Sequence, residues 1–100
     1  MKQFLISYRF SEGSEADWQA EIKRFITALS NDPEFRGKIA YRCLKSAKGP
    51  EYYHLATPVD EEAVKLLGKR DYFKHYSEQM EFVSKGTVTV TPLEFIAETK

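Results

Sequence analysis

The stretch from Ala63 to Val83, AVKLLGKRDYFKHYSEQMEFV, constrains the fold more than any other part of the chain. Leu66, Leu67, Phe73, Tyr76, Met80 and Val83 recur at steps of three, four or seven, the spacing of one helix face. Gly68 interrupts the run, and Asp71 just after it can cap a second helix. The pattern predicts a kinked pair of helices, at 60–68 and 71–84, rather than one rod. Such a pair must cover an apolar surface, and the remaining segments read as the strands that supply it.

Lys2 to Phe10 alternates, with Phe4, Ile6, Tyr8 and Phe10 on one side and Leu5, Ser7 and Arg9 on the other. Leu5 on the second side predicts a central strand covered on both faces. Ser14 to Asp17 resembles a capping box with Asp in place of Glu or Gln. Trp18, Ile22, Phe25, Ile26 and Leu29 then form a helical stripe that ends by Asn31, because Pro33 disfavours a helical Asp32. Two alternating segments follow, 38–45 and 51–56, joined by the hairpin-type loop Ser46 to Pro50. Thr57-Pro58 reads as an N-cap with Pro in the first turn. After the helix pair, 87–98 reads as a last strand, with Pro92 marking an edge, a bulge or a change of pairing partner.

The order is β-α-β-β-α-β in one domain spanning 1–100. That is the ferredoxin-like α+β pattern, a four-stranded antiparallel sheet with its helices on one face. Both phases of the strands carry large apolar residues: Phe4 and Ile6 against Leu5, Ile39 and Tyr41 against Leu44, Ile96 against Leu93 and Phe95. One phase packs on the helices. The other needs another protein surface, and a homodimer stacked sheet to sheet supplies it, with Pro92 to Glu98 crossing to the partner.

Fifteen basic residues balance fifteen acidic ones, so no electrostatic footprint for nucleic acid or an anionic membrane is present. No apolar run is long enough to span a bilayer, and the N-terminus enters a strand with no signal peptide. Cys43 is the only cysteine, which excludes an internal disulfide and points to a cytoplasmic address. Its place beside Ile39 and Tyr41 predicts a buried, inert thiol. The scattered His and Cys give no metal-site spacing.

His54 reads in two ways: as a base near neutral pH, or as a hydrogen-bonded core or interface histidine. Tyr8, Tyr41, Phe73 and Tyr76 could line a substrate pocket between sheet and helices, with a mouth at the Gly68 break; the tyrosines read equally as core aromatics. His75 reads as half-exposed helix surface, and Lys23-Arg24 and Lys69-Arg70 as solvated charge pairs. Arg9 and Arg42 read as carboxylate or enolate binders, or as members of a dimer-interface ion pair with Glu94. The segment EYYHLA lacks the RNA-recognition signature, and SEGSEAD lacks a phosphate loop.

Five local patterns carry a resemblance: Tyr8-Arg9-Phe10, Gly37 with Tyr41 four residues on, Pro50-Glu51-Tyr52, Asp60-Glu61-Glu62-Ala63 and Arg70-Asp71-Tyr72-Phe73. Across nearly its whole length the chain resembles the dimeric α+β barrel superfamily, and within it the antibiotic biosynthesis monooxygenase-like domains. Two departures stand out. His54-Leu55-Ala56-Thr57 occupies the stretch where such domains commonly have an acidic residue and a Trp, and Leu67 stands where they often have a His. The haem-degrading branch works with Asn, Trp and His, so these departures disfavour haem degradation. The resemblance instead implies a cofactor-independent monooxygenase-like enzyme, needing oxygen but no cofactor or metal, and acting on a small aromatic or polyketide-type molecule. The alternative is a non-catalytic ligand-binding or structural homodimer of the same fold.

Overall fold

The computed structural model describes residues 2–100. Strand β1 (Lys2–Arg9) leads into helix α1 (Glu15–Asn31) and a single 3-10 turn at Pro33–Phe35. Strands β2 (Ile39–Lys45) and β3 (Glu51–Pro58) follow, then helices α2 (Glu61–Gly68) and α3 (Asp71–Ser84), and strand β4 (Thr89–Glu94). The sheet order is β2-β3-β1-β4, with every neighbouring pair antiparallel. This is the ferredoxin-like α+β fold, with β1 central and β4 at an edge.

The caps show why the elements start where they do. The Ser14 side chain accepts the Asp17 amide at 3.2 Å and opens α1. The expected Thr57-Pro58 cap is displaced. Thr57 and Pro58 stay in β3, opposite Ala40 and Ile39, and Asp60 caps α2 by accepting the Ala63 amide at 2.9 Å. A carboxylate is the stronger acceptor there, and a cap at Thr57 would have cut two cross-strand pairs. Asp71 does not cap α3 but is its first helical residue, where its charge complements the helix dipole; Arg70 holds the N-cap position.

The last strand is shorter than its β-branched run suggested, stopping at Glu94. Pro92 sits within it opposite Phe4, on an edge strand where a residue without an N–H is tolerated. Arg9 lies opposite Glu51, and its guanidinium is 3.6 Å from that carboxylate, whereas Glu94 lies opposite Lys2 at the other end of β1. Arg70 is not a solvated surface charge. It reaches Asp32 at 2.9 Å and Glu34 at 2.6 Å, and its guanidinium lies over the Phe35 ring. Asp32 also accepts from the Tyr72 hydroxyl at 2.8 Å, so the α2–α3 junction is tied to the end of α1.

Register assigns the sheet faces. Phe4, Ile6 and Tyr8 stand beside Ala56, His54 and Tyr52 on the face turned to the helices, where Ile6, Tyr8 and Tyr52 pack into the core and His54 is fully buried. The core is aromatic: Phe25 stacks on Tyr76 at 4.0 Å, Trp18 on Tyr76 at 5.6 Å and Tyr8 on Tyr52 at 5.3 Å. Stacked pairs of this kind add roughly 0.5–1.5 kcal/mol each beyond the area they bury. On the opposite face Leu44 and Tyr53 are exposed, and Phe95 and Ile96 beyond β4 are exposed as well. Among the described residues no helix is long and apolar enough to cross a membrane.

Candidate functional site: a tyrosine–histidine network beside an apolar pocket

His54, on β3, is fully buried in the layer between sheet and helices. Its position follows from alternation: Tyr52 and Ala56 share its face, and cross-strand pairing sets Ile6 on one side and Cys43 on the other. Both ring nitrogens are engaged. Nε2 lies 2.9 Å from the Tyr8 hydroxyl. Nδ1 lies 2.9 Å from the Tyr41 hydroxyl and 2.9 Å from that of Tyr76, and these two hydroxyls are 3.1 Å apart. The Trp18 indole N–H donates to the Tyr8 oxygen at 2.8 Å. Strands β1, β2 and β3 and helices α1 and α3 each contribute one member.

Burial sets the electrostatics. It lowers the His54 pKa to about 4, so the ring is neutral at pH 7. Burial raises the phenols of Tyr8, Tyr41 and Tyr76 above their ordinary range, so all three stay protonated. Burial also pushes the Cys43 thiol up to about 11, which keeps this partly buried group a thiol. The network therefore carries no net charge. It works as a set of hydrogen-bond donors and acceptors, and a histidine held neutral this far below neutrality is a weak base.

Next to the network lies a pocket of about 270 Å³ between the sheet and the α2–α3 pair. Phe4 and Ile6 of β1, Ala56 of β3, Val64 and Leu67 of α2, and Phe73 of α3 form much of its wall. Ile39, Pro58, Val90 of β4 and the Tyr41 ring complete the rim, and no polar atom of the described residues faces the interior. The helices on both sides of the break at Gly68 contribute to the wall, Val64 and Leu67 before it and Phe73 after it, with the small Ala56 side chain on the sheet side.

Of the residues expected at a ligand, Tyr41 and Phe73 line this pocket, whereas Tyr8, His54 and Tyr76 sit in the filled layer beside it. Tyr41 belongs to both groups. His75 is half-exposed, with Nε2 3.5 Å from a Glu21 oxygen, and takes no part. The sequence reading missed Trp18 as a network member. The only signal was that a buried Trp needs an acceptor for its N–H. It also missed Asp32 and Arg70, 38 residues apart, which no local spacing connects. Among the described residues no cluster of His, Cys, Asp or Glu has the geometry of a metal site.

No protein-family model matches the chain, and no curated protein matches it in sequence. Solved structures do match in shape. An antibiotic biosynthesis monooxygenase superposes with a TM-score of 0.78 at 11% identity, covering 97% of this chain and 100% of the other. A dimeric ferredoxin-like protein of unknown function from Jannaschia sp. gives 0.71 at 17% identity, covering 95% and 100%. SnoaB, a cofactor-independent oxygenase from Streptomyces nogalater, gives 0.64 at 15% identity, covering 99% and 95%. At these identities the likeness is one of fold, and it extends over nearly the whole chain.

Proposed function

We propose, on the premise that this chain has the antibiotic biosynthesis monooxygenase-like fold, that it is a cofactor-independent monooxygenase-like enzyme acting on a small aromatic or polyketide-type molecule. The observation that carries this reading is an apolar pocket whose wall includes Tyr41, the outer member of a buried hydrogen-bond network. At about 270 Å³ the pocket takes a one- or two-ring molecule, or the end of a larger one. Its apolar wall receives the ring face. A phenolate or enolate oxygen at the inner end sits against the Tyr41 part of the wall, and a small shift of that side chain toward the ligand presents its hydroxyl, backed by Tyr76 and His54. Donors held ready in a site without water stabilise an oxyanion more than donors in water do.

The oxidant is dioxygen. The substrate carbon loses two hydrogens and gains one oxygen atom, and the second oxygen atom leaves as water. The substrate binds as its anion, having given its proton to solvent water, and stabilising that anion is what the network does. His54 acts there by polarising the tyrosines, since its low pKa makes it a weak proton acceptor at pH 7. The test is oxygen uptake with hydroquinones, naphthols and anthrone, comparing the protein with Tyr41→Phe. Loss of most of the turnover with binding retained supports the reading. Equal turnover in the variant overturns the role of Tyr41.

The second reading is a non-catalytic ligand-binding homodimer. It is favoured by the absence of any polar atom facing the pocket and by the full engagement of both His54 nitrogens. Thermal stabilisation by 2-naphthol without oxygen uptake selects it. In both readings the protein is a homodimer, because Leu44 and Tyr53 on the outer sheet face and Phe95 and Ile96 beyond it are exposed. Sedimentation equilibrium at micromolar concentration should give a dimer mass, lost in Phe95→Asp. A cytoplasmic address accompanies both readings.

A further inference from the structure

We infer that Trp18, a residue of α1 outside the pocket wall, sets the direction of the whole hydrogen-bond network and delivers its one uncommitted proton to the tyrosines on the pocket side. The inference rests on the reading that Tyr41 meets the ligand. Trp18 is a positioning residue, acting through Tyr8 and His54.

The argument is a count of hydrogens. Five X–H groups are present: the Trp18 indole, three phenols and one N–H on neutral His54. The indole can donate but never accept. At 2.8 Å it takes a lone pair of the Tyr8 oxygen. Tyr8 is buried, and among the described residues the only other side-chain partner of its hydroxyl is His54 Nε2, at 2.9 Å. The Tyr8 hydrogen must therefore go to Nε2, which places the histidine hydrogen on Nδ1. This tautomer is assigned from the donor count.

From Nδ1 the direction continues outward. The Nδ1–H donates to Tyr76 or Tyr41, each 2.9 Å away. The two phenols, 3.1 Å apart, use one of their hydrogens between them. One hydrogen remains, and Tyr41, the less buried of the pair, is where it can find an outside acceptor. In the opposite direction Nε2–H would donate to Tyr8, and the Tyr8 hydrogen would be a buried donor with no acceptor. Aligned donors polarise one another, so the direction fixed at Trp18 strengthens the donor at the far end.

Trp18 is the only tryptophan, so a biosynthetic analogue enters at one position. The informative analogue carries a ring sulfur in place of the indole N–H, which keeps the shape, removes the donor and offers a weak acceptor. Multiple-bond proton–nitrogen NMR on histidine-labelled, ligand-free protein reads the tautomer directly. The half-exposed His75 is the only other histidine and gives the second set of signals. The expected result is Nδ1–H at His54 in the natural protein, with the tautomer ratio moving about tenfold or more toward Nε2–H in the analogue protein. Trp18→Phe, read in the same way, should move the ratio in the same direction. Nε2–H in the natural protein, or an unchanged Nδ1–H population in both altered proteins, overturns the inference. The measurement needs no ligand, so its outcome is separate from that of the oxygen-uptake test.

Discussion

The two ends of the layer between sheet and helices are built from the same strands and differ in what fills them. At one end Tyr8 of β1 stands beside Tyr52 of β3, and the space is filled by rings from α1 and α3. At the other end Phe4 stands beside Ala56, and α2 leaves a pocket above them. Between the two, Ile6 lines the pocket and its cross-strand neighbour His54 belongs to the filled end. The polar groups gather where packing is complete and every buried side-chain N and O atom has a partner among the described residues. The empty end has no polar atoms to satisfy. The comparison teaches that the fold spends its polar residues on rigidity next to the pocket rather than inside it.

The largest effect is expected from removing the centre of the filled end. His54→Phe leaves the hydroxyls of Tyr8, Tyr41 and Tyr76 without their common partner. At about 1–3 kcal/mol per unsatisfied buried group, with some mutual compensation, the loss should be about 3–5 kcal/mol in urea unfolding. A loss below about 1 kcal/mol would mean that the network is not a stabilising unit.

Acid should act on the same end. Above pH 6.5 His54 is neutral in both the folded and unfolded chain. Below pH 6.5 the unfolded chain takes up the proton, whereas the folded chain does so only near its pKa of about 4. Stability therefore falls as the pH drops from 6.5 to 4, by a contribution on the order of 3 kcal/mol. In His54→Phe this part of the pH dependence should vanish, and the carboxylates alone should remain.

Filling the empty end should do the reverse. Ala56→Phe places a ring in existing space, so stability should change by no more than about 1 kcal/mol in either direction. Stabilisation by 2-naphthol should disappear. A large loss of stability instead would show that the space closes in solution. The smallest effect is expected at Arg70→Met, which removes the ion pairs to Asp32 and Glu34 and leaves the Tyr72–Asp32 hydrogen bond in place. A modest drop in Tm, reduced further at high salt, should be its whole signature.

The elements were legible in the sequence because their periodicities are clean. The alternation of Phe4, Ile6 and Tyr8, the stripe from Trp18 to Leu29 and the break at Gly68 each report a local preference. The side chains that share a face were also legible, so Tyr8, Tyr41 and His54 could be grouped. Their hydrogen bonds were not, because those depend on register across three strands and on ring rotamers. Trp18 and Arg70 find partners that sequence distance hides. The end of β4 was overextended because Phe95 and Ile96 continue an apolar pattern after the last partner on β1, Lys2 opposite Glu94, has been used. The pocket is an absence of atoms above Ala56, and no residue type announces it.

The central claim is that an aromatic ligand enters the empty end and touches Tyr41. Chemical-shift mapping with 2-naphthol on methyl- and tyrosine-labelled protein tests it most directly. The account predicts saturable shifts at the methyls of Ile6, Ala56, Val64 and Val90 and at the Tyr41 ring, and none at Leu44 or Leu55 on the outer face. Shifts confined to the outer face, or no saturable shifts at all, would contradict it.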